Sequence, residues 1–166
     1  KSELGVLYLS DFNRQFIMKI LQTNQLEFVH LIDCDVFAYL WKEHPLAKCG
    51  SVSIADLEHY PCLTFEQGDK SSFYFAEEVL STYSYKRMVR ANDRATMLNL
   101  MTGLNGYTLC CGIICQELNG GIYTSVPLET DEKMTIGYIT RKASTMSEIG
   151  KQYIEEISKY REFVLD

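Results

Sequence analysis

Cysteine and histidine are the residues of this sequence whose side chains could bind a metal ion or attack an electrophile. The chain contains six cysteines and three histidines. No two of them fall at the Cys-x-x-Cys or His-x-x-x-His spacing that many metal sites use. The sequence also lacks a nucleophile elbow and any local cysteine-enzyme signature. We therefore predict no catalytic residue, no metal site and no cofactor, and we expect structural roles for His30, His44 and His59.

The positions of the cysteines also bear on redox chemistry. They do not form the regular framework of a small secreted scaffold, since they lie at Cys34, Cys49, Cys62, Cys110, Cys111 and Cys115. Cys110 and Cys111 are neighbours in an apolar strand, where adjacent side chains face opposite sides, so we do not expect a redox pair. The prediction is reduced thiols in a cytoplasmic protein. A catalytic cysteine would need a histidine base and an acid brought close by the fold.

Composition and charge narrow the class of protein. With 166 residues, 46% of them hydrophobic, the chain is long enough to bury a core. Its formal net charge of -6 repels phosphate backbones, so direct nucleic-acid binding is not expected. No apolar stretch reaches the roughly 18 residues of a membrane span, and no export signal is present. Because the chain opens on Lys1 and enters a strand at once, we expect it to lie within a longer protein.

Strand and helix patterns alternate along the first half of the chain. Residues 6–9 predict a strand, and Asp11 precedes a helical stripe of apolar residues. Residues 26–32 and 36–41 predict two further strands, and residues 51–57 a helical turn. Residues 62–65 predict a short buried strand. Ser71 or Ser72 is then expected to cap a helix from Phe73 to about Leu80.

The second half repeats the alternation. Residues 86–90 predict a strand, and Asn92 or Asp93 caps a helix that ends within residues 103–106. Further strands are expected at 107–112, 122–128 and 134–140, with a turn at 113–118. Thr145 and Glu148 form a capping box before a long terminal helix. Alternation of this kind predicts an α/β fold with a parallel or mixed sheet, whose ligands bind beyond the carboxyl ends of the strands.

Several short motifs in the same order resemble the effector-binding domain of LysR-type bacterial transcription regulators. Three lie where that domain's second subdomain begins: WKEHPLA at 41–47, VSIADL at 52–57 and YPCL at 60–63. NLMTGLNGY at 99–107 resembles a later helix and glycine turn of that domain. TSVPL at 124–128 and IGYITRK at 136–142 resemble two of its strands. Each motif is degenerate, so the resemblance depends on their collinearity along nearly the whole chain.

The resemblance implies a fold like that of type 2 periplasmic binding proteins: two α/β lobes joined by crossover strands, with an effector in the cleft. Lobe I would comprise approximately residues 1–32 and 128–166, and lobe II approximately 33–127. The first lobe would be incomplete, because Lys1 lies just before its third strand. Asn105 replaces a second glycine that is usual in the family, and a proline common after the following strand is missing.

The same resemblance implies effector contacts from the end of the 62–65 strand and the start of the following helix. We predict Thr64, Glu66, Asn92, Asp93 and Thr96 as ligand-binding residues. A helix N-terminus offers unpaired N–H groups and partial positive charge, which suit a small organic anion or carboxylate. The alternative is that Asn92 or Asp93 only caps its helix. Asp93 would itself repel an anion, and could instead favour an amine or a sugar.

The expected function is therefore ligand sensing. By the resemblance, a small-molecule effector would bias a homodimer or tetramer that contacts DNA only through a winged helix-turn-helix outside these residues, with no membrane partner. A solute-binding protein of the same fold is the alternative, and an enzyme on that scaffold is a third. An enzyme would require a cysteine, a histidine and an acid to converge.

Overall fold

The chain divides into two compact units. The computed structural model describes residues 2–66, 73–76, 78–114 and 120–160. Unit 1 combines residues 1–34 with 133–166, and unit 2 is the continuous stretch 35–132. The chain therefore leaves unit 1 once and returns to it once. Within the described residues, no helix combines the length and apolarity needed to cross a membrane.

Unit 1 is a small sheet with two helices. Its elements are β1 (Leu4–Leu9), α1 (Arg14–Thr23), β2 (Leu26–Asp35), β8 (Lys133–Arg141) and α4 (Glu148–Ser158). The strands lie in the order β1, β8, β2. β1 runs antiparallel to β8, with Leu4 opposite Thr140 and Leu9 opposite Thr135. Its buried cluster consists of Leu9 with Ile17 and Leu21 from α1. The apolar stripe of α1 thus packs on one face of the sheet.

Both helix caps predicted in unit 1 are wrong. Asn13, not Asp11, precedes α1, and its side-chain oxygen accepts the Ser10 N–H at 2.8 Å. α4 begins after Ser147, whose Oγ accepts the Gly150 N–H at 3.1 Å, so Thr145 and Glu148 form no capping box. The Ser147 N–H and hydroxyl are both donated to the Glu3 carboxylate. A residue far away in sequence thus adds two hydrogen bonds to the cap residue.

The described part of unit 2 contains five strands and two helices. They are β3 (Phe37–Trp41), α2 (Ile54–Leu57), β4 (Cys62–Phe65), β5 (Met88–Ala91), α3 (Arg94–Gly103), β6 (Thr108–Cys110) and β7 (Tyr123–Pro127), with a 3₁₀ turn at Phe73–Phe75. β2 ends at Asp35, which is the first residue of unit 2. β3 lies between β6 and β7 and is antiparallel to both, whereas β4 and β5 pair in parallel. Unit 2 therefore contains both parallel and antiparallel pairs, in separate sheets, where the sequence predicted one parallel or mixed sheet.

The core of unit 2 forms where α3 packs against the strands. Met97 and Met101 from α3 meet Leu63 of β4 and Tyr39 of β3 in one buried cluster.

Ser53 caps α2 with a complete capping box to Asp56. The short helical turn predicted at residues 51–57 is thus confirmed.

The helix predicted from Phe73 to Leu80 is wrong. The described residues of this segment form only the 3₁₀ turn at Phe73–Phe75, and Leu80 has a left-handed φ of 57°, which a helix does not allow. Glu78 is buried, and its carboxylate accepts the Phe65 N–H at 2.9 Å, a tertiary bond that local patterning does not reveal. Ser71, Ser72 and Cys115 lie outside the described residues, as does most of the turn predicted at 113–118.

The WKEHP motif and the glycine turn after α3 are bonded to each other. Trp41 Nε1 donates to Asn105 Oδ1 at 2.8 Å, and His44 Nε2 donates to the Asn105 carbonyl at 3.0 Å. The Leu46 N–H donates to His44 Nδ1, so the imidazole is neutral, and burial lowers the pKa of His44. Asn105 has a φ of 50°, a conformation that asparagine tolerates well. Asparagine therefore replaces the usual glycine here and adds a side-chain acceptor.

Candidate functional site

The parallel pair β4 and β5 ends at one edge of unit 2, where the predicted binding residues lie. Thr64 is opposite Arg90 in the register, and the Glu66 N–H donates to the Ala91 carbonyl at 2.8 Å. Asn92 follows β5 directly, and α3 begins two residues later at Arg94. The structure thus brings Thr64, Glu66, Asn92, Asp93 and Thr96 to the same edge. We call this set, with Arg90, the β4–β5 edge.

Asp93 has a structural role at this edge. Its Oδ1 accepts the Thr96 N–H at 2.8 Å, which caps α3. Hydrogen bonds from the Thr96 side chain and backbone lower the pKa of Asp93, so the carboxylate is ionised at neutral pH. The Thr96 amide is used in the same bond. Of the two interpretations of Asp93, capping is the one that the geometry supports.

Glu66 and Arg90 bring opposite charges to the edge. Glu66 Oε2 lies 3.8 Å from Arg90 Nη1, and both side chains are about half exposed. An exposed pair at this distance contributes about 0–1 kcal/mol to stability, so little holds the two groups together. Either group is available to a ligand. Arg90 was not predicted from sequence, since it was assigned only to a strand.

A buried carboxylate supports the end of β4. The Glu78 side chain reaches the Phe65 N–H and holds the strand end next to the edge. Glu78 falls in the segment that the sequence predicts as a helix from Phe73 to about Leu80, so its role was not foreseen. Two consecutive glutamates before the apolar Val79 and Leu80 are an ordinary surface pattern, so no local signal was available.

The edge has the chemistry of a binding site. Thr64 and Asn92 offer a hydroxyl and an amide, Glu66 an acceptor, and Arg90 a cation.

Among the described residues, no three His, Cys, Asp or Glu side chains cluster as metal ligands would. Burial raises the pKa of Cys62 and of Cys110 to about 12, so both thiols are poor nucleophiles at neutral pH.

Solved structures of similar fold include transcription regulators and their effector-binding domains. HinK, a LysR family transcriptional regulator from Pseudomonas aeruginosa, matches with a TM-score of 0.60 at 15% identity, over 96% of this chain and 53% of that chain. The effector binding domain of QuiR in complex with shikimate matches with a TM-score of 0.59 at 15% identity, over 97% and 72%. The BenM effector binding domain with its effector benzoate gives 0.57 at 18%, over 86% and 67%.

These structural likenesses show the fold of this chain. The chain spans about half the length of HinK. Among curated proteins, no sequence matches this chain. A family model does match: residues 15–161 fit the LysR substrate binding domain, which is nearly the whole chain. The chain therefore belongs to the LysR substrate-binding domain family and has its type 2 periplasmic-binding-protein-like fold.

Proposed function

We propose that this chain is the ligand-sensing domain of a LysR-type transcription regulator, and that the β4–β5 edge contributes to its effector site. The observation that carries the proposal is the meeting of two parallel strand ends with the start of α3. Ligands of open α/β sheets bind at such ends. The relatives that hold shikimate and benzoate are effector-binding domains of the same fold, which supports a small organic effector here.

The residues at the edge favour an effector that combines a carboxylate with hydroxyl groups. Arg90 and the positive end of α3 would attract the carboxylate. Thr64, Asn92 and Glu66 would bind hydroxyls, with Glu66 accepting. Asp93, already committed to Thr96, contributes mainly by holding the helix start in place.

Regulation follows if the effector binds two conformations of the regulator with different affinity. In this proposal the chain acts in a homodimer or tetramer, and DNA is contacted only by a winged helix-turn-helix elsewhere in the protein. Such a regulator works in the cytoplasm, and its role is regulatory rather than catalytic.

The test is a thermal-shift titration with carboxylates and polyols, beginning with shikimate and benzoate. A ligand that binds the folded state alone raises the melting temperature. We expect at least one compound to do so, and Thr64→Ala and Asn92→Ala to reduce its affinity about 3- to 10-fold, the equivalent of one hydrogen bond.

Thr102→Ala is the matched control, because Thr102 lies at the opposite end of α3 and its hydroxyl donates only to the Asn99 carbonyl among its described bonds. The Thr102→Ala variant should bind the ligand with the same affinity as the unaltered chain. A ligand that binds all three variants equally would remove the edge from the proposal. The absence of any binding compound would shift the proposal towards protein interaction.

A further inference from the structure

A small cavity lies inside unit 2, beside α3. Its volume is about 140 Å³, and β3, β6 and α3 supply most of its wall. Six of its lining residues are Tyr39, Arg94, Met97, Leu98, Met101 and Cys110. A cavity of roughly 150 Å³ in another protein accommodates benzene, so this volume suits one six-membered ring. We call it the Tyr39 cavity.

The tyrosine that lines this cavity has a hydroxyl without a partner. Tyr39 is only 6% exposed, and its Oη is buried without a hydrogen bond among the described residues. Nearly all buried hydroxyls in proteins are hydrogen-bonded, so an unsatisfied one calls for an explanation. Burial raises the pKa of Tyr39 to about 12, which keeps the phenol protonated and able to donate at neutral pH.

The charges around the cavity balance. Glu78 is a buried acid and Arg94 an exposed base, so the lining has no formal net charge. Most of the other lining side chains are apolar. Moving an ion into such a space is costly unless an opposite charge is dedicated to it. The cavity therefore favours an uncharged occupant.

We propose that the Tyr39 cavity binds an uncharged molecule the size of one six-membered ring, which carries one oxygen that accepts a hydrogen bond from Tyr39 Oη. None of Thr64, Glu66, Asn92, Asp93 and Thr96 lines this cavity. Three of its lining residues, Phe65, Glu78 and Arg94, lie beside the β4–β5 edge, so the cavity is next to that edge, and the inference does not rest on the proposed function.

The experiment compares three ring compounds on the 166-residue chain by titration calorimetry. Phenol has the ring and the oxygen, toluene has the ring alone, and benzoate adds a charge. Phenol should bind about 2- to 12-fold more tightly than toluene, the equivalent of one hydrogen bond. Benzoate, whose charge excludes it from the cavity, should displace phenol only weakly, even if it binds at the β4–β5 edge. Tyr39→Phe removes the hydroxyl and keeps the ring, and it should abolish the preference for phenol over toluene.

Leu98→Phe is a second variant, which adds volume to a half-buried lining residue and should abolish phenol binding. Should Tyr39→Phe fail to fold, two measurements still test the proposal. These are the comparison of phenol with toluene in the unaltered chain and the binding of phenol by the Leu98→Phe variant. Three results would overturn the proposal: neither neutral ring binds, Tyr39→Phe keeps the preference for phenol, or Leu98→Phe binds phenol undiminished. The first result would mean that the cavity holds water alone.

Discussion

The two units differ in how completely they bury their apolar residues. Of the side chains buried almost entirely, unit 1 contributes Leu9 and unit 2 contributes Leu40, Leu57, Leu63, Met101 and Tyr107, among others. Unit 1 instead has the larger set of exposed apolar side chains: Val6, Phe12, Phe16, Met18, Ile149, Tyr153 and Tyr160. Both units are built from similar strands and amphipathic helices. Unit 2, which contains the β4–β5 edge, therefore has the larger buried core among the described residues.

The largest expected effect is a truncation in the core of unit 2. Leu63 is completely buried, and Leu63→Ala should lower the free energy of unfolding by about 2–5 kcal/mol through lost burial and the cavity left behind. Trp41, the only tryptophan of the chain, lies in unit 2 and reports the transition by fluorescence in urea. Ile149→Ala in unit 1 is the control: its side chain is 78% exposed, so the change should stay within about 0.5 kcal/mol. Equal losses in both variants would contradict the comparison.

A backbone clash tests the sheet of unit 1. A Cβ at Gly137 would lie 2.4 Å from the Val29 carbonyl oxygen, an atom that moves only if β2 and β8 separate. Gly137→Ala should therefore cost about 1–3 kcal/mol, measured by far-UV circular dichroism in urea. At Gly103 an added Cβ meets nothing within 4 Å. Gly103→Ala should leave stability unchanged or raise it by up to about 1 kcal/mol, and a loss there as large as at Gly137 would refute the steric argument.

A helix cap in unit 1 gives a smaller effect. Ser147→Ala removes the acceptor for the Gly150 N–H and the hydroxyl bonded to Glu3. The expected loss is about 1 kcal/mol, seen as a lower melting temperature by circular dichroism. Ser144→Ala is the matched control, since Ser144 lies exposed before the cap. If both serines tolerate alanine equally, Ser147 does not cap α4 in solution.

The smallest expected effect is a pH dependence that originates in unit 2. Burial lowers the pKa of His44 from its ordinary value of 6.5, so the unfolded chain binds a proton that the folded chain does not. Stability is then full above pH 6.5 and declines as the pH falls below it. The unfolding free energy measured between pH 7.5 and 5.5 should decrease, and His44→Gln should flatten this slope. His59→Gln, at an exposed position, should keep it; a slope that survives in His44→Gln would exclude His44 as its source.

Sequence reasoning succeeded where structure depends on neighbours along the chain. Asp93 caps α3 three residues before the amide whose hydrogen bond it accepts, and the run at 62–65 predicted β4 with its observed bounds. It failed where a distant residue decides the outcome. Glu3 bonds to the cap residue of α4, and the buried Glu78 carboxylate belongs to a turn that patterning assigned to a helix. Tyr39 looked like an ordinary strand residue, because an unsatisfied hydroxyl is a property of packing alone.

The most direct test of the central claim is a map of backbone amide shifts. The ¹⁵N-labelled chain would be titrated with the compound that raises its melting temperature most, and spectra compared residue by residue. The account predicts that the largest shifts fall at residues 64–66 and 90–96, the strand ends and helix start of the β4–β5 edge. Saturable binding with those amides unmoved, and the largest shifts elsewhere in the chain, would contradict it.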